Sequence, residues 1–311
     1  MCRGLWKNQM VVNKPRKVNP GDRIGILAPA GCVDDASLQA GAQAIRNEGF
    51  EVEFAPNIRE QKGYLAGDEY SRARDLTDFF QRKDIAAIFC ARGGFGSVQL
   101  LPHLSAALGS SPKIFVGYSD ITILLNWLLQ ECQMVTFHAP MVAMELARGL
   151  KGRSKEFFWG LLTGEKTSWE LSLGEVIRRG TVEAPMTGGC LSVLITTLGT
   201  PYEIDTAGKL LFLEDVGEKP YRIERMLTHL KMAGKFERLA GLVFGQFCNC
   251  NGEGPRDLRQ IVGDLFCEAP YPVVMGMASG HGDEQIALPF GVRMRLDGSV
   301  GTLSLLEAPV V

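Results

Sequence analysis

The sequence predicts an α/β protein in two parts: an N-terminal parallel sheet covered by helices, and a C-terminal mixed β/α domain. In the first half, short apolar runs alternate with helical patterns, which is typical of βαβ units. The second half is richer in short strands and turns. The length of 311 residues fits two domains better than one or three. We therefore expect an N-terminal domain over residues 1–160, a linker over 161–180 and a C-terminal domain over 181–311.

Apolar periodicity defines the elements of the first half. Runs typical of buried strands lie at residues 23–28, 50–55, 85–90 and 114–118. Helical spacing of apolar residues is found at residues 38–48, 71–81, 97–108 and 121–129. In a parallel sheet of this kind, ligands bind beyond the carboxyl ends of the strands. Three of those ends carry unusual loops, at residues 29–31, 92–96 and 118–120.

The second half has a different pattern. Strand-like runs lie at residues 180–184, 209–213, 242–247, 272–275, 285–289 and 300–306. Helical patterns lie at residues 223–234 and 257–266. We see no internal repeat and no low-complexity segment, so a mixed sheet with helices is expected here instead of a copy of the first half.

The composition of the chain indicates what class of partner it binds. Hydrophobic residues make up 46% of the chain, which is enough for packed cores. The formal net charge is −2, from 33 basic and 35 acidic residues mixed along the chain. With this balance, the sequence shows no excess of positive charge of the kind that binds a nucleic acid or an anionic membrane. We expect a small-molecule partner, with neither nucleic acid nor membrane binding.

The N-terminal residues and the cysteines both indicate a cytoplasmic protein. The first twenty residues hold no apolar core of about seven residues or more, so we expect neither a secretory signal nor a membrane span. Eight cysteines are scattered along the chain, mostly in apolar segments, which is typical of reduced thiols. Cys248 and Cys250 could be half of a metal site, but no second Cys or His pair stands at ligand spacing. No metal is therefore expected.

Ser119 occupies the turn between a predicted strand and a predicted helix. Such a turn projects the hydroxyl above the sheet edge and directs the first N–H groups of the helix at any negative charge beside it. This is where a nucleophile would stand, although Ile121 replaces the glycine that follows the serine in α/β-hydrolases. The alternative is that Ser119 merely caps the helix.

A serine nucleophile needs a base, most often histidine, which a third group orients. His281 is the first candidate, because it stands between glycines on a loop that directly follows a predicted strand. His138 also follows a strand end, and could line the same cleft or be an ordinary core histidine. His103 and His229 lie in helical runs and have the character of ordinary helix residues.

The orienting carboxylate is also expected at a strand end. The apolar run 210–213 is followed by Glu214, Asp215 and, after two more residues, Glu218. An acid directly after a buried strand needs a partner, because an isolated buried carboxylate is costly. Glu214 is therefore the first candidate. Asp215 and Glu218 are alternatives that could equally be solvated turn residues beside Arg222 or Arg225.

Two backbone segments could supply donors to an oxyanion. The glycines of the loop 92–96 let N–H groups such as that of Gly94 approach a bound carbonyl, and the N–H of Asp120 would be the second donor. The loop matches neither common nucleotide-binding glycine motif. Arg92 and Arg222 are the cations best placed to bind a substrate carboxylate, unless they form ordinary salt bridges.

Together these residues resemble the L,D-carboxypeptidases, a serine peptidase family that includes muropeptide-recycling enzymes and microcin-immunity hydrolases. The resemblance covers nearly the whole chain from Val18 to Leu305. It rests on six ordered motifs at residues 21–29, 91–96, 117–120, 187–192, 211–216 with 220–222, and 280–282. The chain departs from the family pattern at Ala30 and Cys190, where many members have serine and asparagine.

The resemblance implies a triad in which Ser119 is the nucleophile, His281 the base and Glu214 the orienting acid. It places the serine on a flavodoxin-like N-terminal domain and the other two residues on the C-terminal domain. The implied enzyme is a homodimer without metal or organic cofactor. The implied reaction removes the terminal D-alanine from a peptidoglycan tetrapeptide in cell-wall recycling, so the expected partner is a small muropeptide.

Two alternatives stay open. A hydrolase of the same group could act on peptidyl- or aminoacyl-nucleotides, which would need an aromatic platform for the base. A protein of another class, a non-catalytic binder of amino-acid ligands, would use Ser119 only as a helix cap.

Overall fold

Two β-sheets organise the part of the chain that the computed structural model describes, residues 12–250 and 256–311. Residues 1–11 lie outside the described residues. They include Cys2 and part of the N-terminal stretch for which no export signal is expected. No described helix is long and apolar enough to cross a membrane. The strands in chain order are β1 (Arg23–Leu27), β2 (Glu51–Phe54), β3 (Ile85–Cys90), β4 (Ile114–Gly117), β5 (Thr136–His138), β6 (Trp169–Ser172), β7 (Glu175–Arg178), β8 (Thr181–Cys190), β9 (Leu210–Val216), β10 (Gly241–Cys248), β11 (Val273–Met275), β12 (Leu288–Phe290), β13 (Arg293–Asp297) and β14 (Thr302–Leu305).

The α-helices connect the strands and cover the sheets. In chain order they are α1 (Asp35–Asn47), α2 (Glu69–Gln81), α3 (Thr122–Glu131), α4 (Gly152–Leu162), α5 (Leu191–Leu194), α6 (Pro220–Met232) and α7 (Leu258–Phe266). Local chemistry explains where several begin. The side chains of Asp34 and Asp68 cap α1 and α2 by accepting from a backbone N–H, and Asp257 forms a capping box with Gln260 at α7.

The first sheet has the strand order β2-β1-β3-β4-β5-β12. Its first five strands are parallel, and their order is the flavodoxin-like one. β3 and β4 are almost entirely buried, as expected for apolar strands covered by helices on both faces. The second sheet has the order β6-β14-β13-β8-β9-β10-β11-β7, with parallel strands β8 to β11 at its centre and antiparallel strands on both sides. The predicted fold class is confirmed.

The helix predicted at residues 97–108 is wrong. Residues Ser97–His103 and Ala106–Ser110 form two short 3₁₀ helices instead. Pro102 lies inside the first of them, and its missing N–H and ring prevent a continuous α-helix. The apolar spacing is nevertheless used, because Leu100, Leu101 and Leu108 are buried.

The two halves of the chain are joined by a shared sheet and a shared hydrophobic core. Residues 161–180, predicted as a linker, contain β6 and β7, which are the two edges of the second sheet. β12 comes from the second half but pairs with β5 at the edge of the first sheet. One hydrophobic cluster joins buried residues from Val18 to Val310. The bounds of the two domains stay a prediction.

Candidate active site

Ser119 stands in a strained turn directly after β4. Its φ angle is 61°, a left-handed conformation that a residue with a side chain adopts at a cost of about 1–2 kcal/mol. Gly117 makes the turn possible, because a Cβ there would lie 2.7 Å from Cγ2 of Ile121. Backbone strain of this kind clusters at functional sites. Within the described residues, the Ser119 side chain caps neither the 3₁₀ turn it begins nor α3, so capping does not account for a serine here.

The glycine loop after β3 lies against this serine. A Cβ on Gly93 would lie 2.9 Å from Cβ and 3.0 Å from Oγ of Ser119, and 3.3 Å from the backbone nitrogen of Asp120. Gly94 follows with a φ of 115°. Glycine is therefore needed for the loop backbone to reach the nucleophile. The N–H groups of Gly94 and Asp120 belong to the two segments that meet here.

Asp120 holds the glycine loop in place. Its Oδ2 accepts from the N–H of Ser97 at 2.8 Å, and its carbonyl accepts from the Ser97 hydroxyl at 2.6 Å. Burial raises the pKa of the Asp120 carboxyl, and the bonds from Ser97 and the charge of Arg72 oppose that rise. Arg72 is itself buried and donates to the carbonyls of Pro29 and Gly96. Arg72 thus ties together the strand-end loops at residues 29–31 and 92–96.

Glu214 and His281 form a short hydrogen bond. Glu214 is fully buried at the end of β9, and its Oε2 lies 2.6 Å from Nδ1 of His281. Gly280 permits this approach, because a Cβ there would lie 2.9 Å from the same oxygen. Burial alone would raise the pKa of Glu214, but the nearby His138 imidazole and the hydrogen bond from His281 shift it below its ordinary value. Burial would lower the pKa of His281, but the Glu214 carboxylate raises it.

Tyr118 brings the two halves of the site together. The ring of Tyr118, which directly precedes Ser119, packs edge-on against the His281 ring with a centroid distance of 4.8 Å. Its hydroxyl donates to Oε1 of Glu145 at 2.8 Å. The turn that carries the serine therefore meets the loop that carries the histidine. Sequence reasoning missed Tyr118, although it adjoins the serine, and missed Glu145, for which the sequence offers no signal.

The alternative acids point elsewhere. Both carboxylate oxygens of Asp215 are used within its own half of the chain, by the N–H and hydroxyl of Ser192 and the N–H of Val216. Glu218 lies 3.4 Å from the guanidinium of Arg222 at the surface. Of these three acids, Glu214 is the one that contacts a histidine among the described residues.

The two candidate arginines differ in position. The Arg222 side chain is 56% exposed on α6 and pairs with Glu218. Arg92 lies on the glycine loop, where its Nη1 donates to the carbonyl of Cys32 at 3.2 Å. Its Nε is buried and has no hydrogen-bond partner among the described residues. Arg92 directly precedes Gly93, the residue at which a Cβ would meet Ser119.

The remaining histidines divide into two kinds. His103 and His229 are exposed. His138, at the end of β5, is completely buried, and its Nε2 lies 3.7 Å from Oε1 of Glu214. Its Nδ1 lies 3.4 Å from the hydroxyl of Ser279. His138 therefore lies beside the Glu214–His281 pair, and its ring packs against those of Tyr118 and Phe212.

Two polar residues of α3 join the nucleophile's helix to the second half. The Thr122 hydroxyl accepts from the N–H of Cys190 at 3.0 Å, and Asn126 donates to the carbonyl of Gly188 at 2.8 Å. Thr187 in turn donates to Asn126 at 2.6 Å. Sequence reasoning missed both α3 residues, although their spacing of four on a helix that is apolar at the positions between and directly after them was a usable signal.

Metal-binding side chains are not grouped in the described part of the chain. No set of three or more His, Cys, Asp or Glu residues there could hold a metal ion. The described cysteines, including Cys248 and Cys250, are free thiols.

Comparison with known sequences identifies the same two halves. Residues 24–139 match the LD-carboxypeptidase N-terminal domain, and residues 183–296 match the LD-carboxypeptidase C-terminal domain. The chain is 37% identical over 306 residues to a probable murein peptide carboxypeptidase of Bacillus subtilis. That alignment covers 96% of this chain and 95% of the relative.

Two solved structures share the fold. The crystal structure of muramoyltetrapeptide carboxypeptidase from Oxalobacter formigenes is 30% identical, with a TM-score of 0.83, and the match covers 91% of this chain and 97% of that one. The microcin C7 self immunity protein MccF has a TM-score of 0.88 at 21% identity, with 96% and 100% covered. At that identity the second likeness supports the fold alone.

Proposed function

The chain belongs to the LD-carboxypeptidase family, and on that premise we propose that it removes the terminal D-alanine from peptidoglycan tetrapeptides with a Ser119–His281–Glu214 triad. The protein is a carboxypeptidase. The observation that carries the proposal is the meeting of the strained Ser119 turn with the Glu214–His281 pair through Tyr118. Relatives named for murein peptides and for muramoyltetrapeptide support this substrate class.

The proposed reaction begins when Ser119 Oγ attacks the carbonyl carbon of the scissile amide. His281 takes the hydroxyl proton through Nε2, because its Nδ1 is bonded to Glu214. Glu214 holds the ring in this tautomer and stabilises its protonated form. The amine of D-alanine then leaves with that proton. Water next attacks the acyl-enzyme, giving up a proton to His281, and the peptide acid is released as Ser119 is regenerated.

The oxyanion of each tetrahedral intermediate would lie between the glycine loop and the start of the helical turn. The N–H groups of Gly94 and Asp120 are proposed as its donors, because the loop lies so close to the turn that a Cβ on Gly93 would meet Ser119 and the nitrogen of Asp120. The Asp120 side chain is occupied by Ser97, so its contribution here is the backbone N–H. Preorganised donors of this type are worth about 10²–10³-fold each in kcat.

Arg92 is the proposed partner of the substrate's terminal carboxylate. It lies on the same loop as the oxyanion donors, and its buried Nε has an unused N–H within the described part of the chain. Arg222 is less suited, because it is exposed and paired with Glu218. A guanidinium can bind a carboxylate through two parallel hydrogen bonds.

Three finer features are also proposed from family membership. The enzyme would be a cytoplasmic homodimer and would act in peptidoglycan recycling. The nucleotide-linked alternative is supported less, because the microcin-immunity structure shares the fold at only 21% identity. Light scattering of the purified protein would test the dimer.

The direct test is mass spectrometry of the products from a defined tetrapeptide, L-Ala-D-Glu-diaminopimelate-D-Ala. We expect release of D-alanine, no release from the peptide that ends in L-Ala, and a strong loss when the terminal carboxyl is amidated. Equal cleavage of the two stereoisomers would contradict the proposal. A fluorophosphonate probe should add its mass to Ser119 in the wild type and not in Ser119→Ala, whereas no labelling would favour the non-catalytic binder.

A further inference from the structure

His138 is a buried polar residue in a place where an apolar one would pack. Its side chain is 0% exposed and is surrounded by the rings of Tyr118, Phe212 and Phe290 at centroid distances of 5.8, 5.2 and 5.8 Å. Burying an imidazole without partners costs free energy. Its retention here calls for an electrostatic reason.

The partner is Glu214. Nε2 of His138 lies 3.7 Å from Oε1 of Glu214, and neither atom has another hydrogen-bond partner among the described residues. The other oxygen of the same carboxylate is held by His281. At this distance the two atoms are in contact but not hydrogen-bonded, and hydrogen bonds of catalytic groups often tighten when substrate is bound. Glu214 thus lies between two imidazoles, with one oxygen toward each.

The far nitrogen of His138 defines the tautomer. Nδ1 lies 3.4 Å from the Ser279 hydroxyl, which can donate to it. Nε2 then carries the proton and points it at the carboxylate. In the opposite tautomer the Nε2 lone pair would face the negative oxygen, and both atoms would stay unpaired. Of the two tautomers, the Nε2–H one is therefore favoured.

The position of His138 in the sheet gives this contact a geometric consequence. In the register of β4 and β5, His138 is the partner of Gly117, two residues before Ser119. Glu214 and His281 come from the second half of the chain. A hydrogen bond between His138 and Glu214, formed as this contact tightens, would therefore tie Glu214 to the strand that precedes Ser119.

We propose that His138 is a positioning residue, which holds Glu214 by the oxygen that His281 leaves free and so sets the triad's acid in register with the Ser119 strand. This inference rests on the proposed function, since it assigns His138 a role in the same triad. The pKa of Glu214 is consistent with it, because burial alone would raise that pKa and the two histidines lower it.

The first experiment compares two substitutions at one site. His138→Leu removes the donor and fills the space, and should lower kcat by on the order of 10²-fold with little change in KM, as expected for misplacement of a group that does not touch substrate. His138→Gln keeps an N–H near the position of Nε2 and should restore most of that loss. Equal losses in two folded variants would show a packing effect and overturn the proposal.

A matched control lies on the same strand. Thr136 is buried two residues away, and its hydroxyl donates to the carbonyl of Leu125 instead of the triad. Thr136→Val should leave kcat near the wild-type value. A loss as large as that of His138→Leu would mean that any disturbance of β5 is responsible, and would also overturn the proposal.

The second experiment needs no activity. The ¹⁵N chemical shifts of the imidazole nitrogens in the labelled wild-type protein report which nitrogens of each histidine carry a proton, and His138 should carry one on Nε2. A proton on Nδ1 alone would place the Nε2 lone pair against Glu214 and overturn the inference, whether or not the enzyme cleaves the tetrapeptide. Conversely, failure to cleave the tetrapeptide with the expected tautomer present would count against the proposed function alone.

Discussion

Ser119 combines two properties that separate variants can distinguish: a reactive hydroxyl and a left-handed backbone with φ of 61°. Alanine and glycine both remove the hydroxyl, and each should lower kcat by on the order of 10⁶-fold, as loss of a triad nucleophile does elsewhere. Of the two, only glycine relieves the strain of the left-handed backbone conformation at this position. We expect Ser119→Gly to be more stable than Ser119→Ala by roughly 1 kcal/mol in urea unfolding. A more stable alanine variant would show that the turn stores no such strain.

The Glu214–His281 pair predicts a pH dependence. The base must be neutral to act, and the pKa of His281 is raised by the Glu214 carboxylate against the effect of burial. Activity should therefore fall as pH drops through a value above about 6.5, the ordinary histidine pKa. Glu214→Gln removes the charge but leaves the burial. The acid limb of kcat/KM should then move to lower pH, and kcat should fall by roughly 10³–10⁴-fold.

Asp215→Asn is the matched control for that variant. Asp215 is also buried at the end of β9, but it bonds to Ser192 and Val216 instead of a histidine. The Asp215 charge raises the pKa of His281 less than Glu214 does, so its substitution should move the acid limb to lower pH by less than Glu214→Gln. A larger loss of kcat from Asp215 or Glu218 than from Glu214 would show that the orienting acid has been misidentified.

The glycine loop acts as one element with the nucleophile turn. Gly93 does not have a positive φ, so alanine is acceptable to its backbone, but the new Cβ would lie 2.9 Å from Cβ of Ser119. We expect Gly93→Ala to displace Ser119 and lower kcat by on the order of 10²-fold, with a stability loss of about 1–3 kcal/mol. Steady-state kinetics and urea unfolding of the same preparation would measure both. Wild-type kcat would show that the loop does not constrain the serine.

At a second glycine, in a helix, there is room for a side chain. Gly263 lies in α7, away from the site, and a Cβ there would meet nothing within 4 Å. Gly263→Ala should raise the free energy of unfolding by up to about 1 kcal/mol, through helix propensity, without changing kcat. Destabilisation by this substitution would contradict the open surroundings of the helix.

The whole molecule should unfold as one unit, because its halves share a sheet and a core. β12 completes the first sheet, and the largest hydrophobic cluster includes residues of both sheets. Trp127 and Trp159 lie on helices of the first half, and Trp169 lies on β6 of the second sheet. Their fluorescence and the far-ultraviolet circular dichroism should change together with denaturant, at a single midpoint. Two separated midpoints would show that the halves unfold independently.

Much of the site could be predicted because its residues follow buried strands. Ser119, Glu214 and the glycine loop each come directly after an apolar run, and parallel strands end at a common edge. The contact of His138 with Glu214 could not be predicted, since it joins residues 76 positions apart, 138 and 214, through the packing of two sheets. The helix at 97–108 was wrong for a local reason, the proline at position 102.

By itself the sequence determined the α/β class, the strand-end positions of the candidate triad and the family, because apolar periodicity and ordered motifs are local properties of the chain. Only the tertiary structure decided which acid faces which histidine. It also decided that β12 returns to the first sheet and that Tyr118 packs on His281. These outcomes depend on how two sheets, built from segments far apart in the chain, pack into one core. A local sequence pattern does not encode which distant segments come into contact.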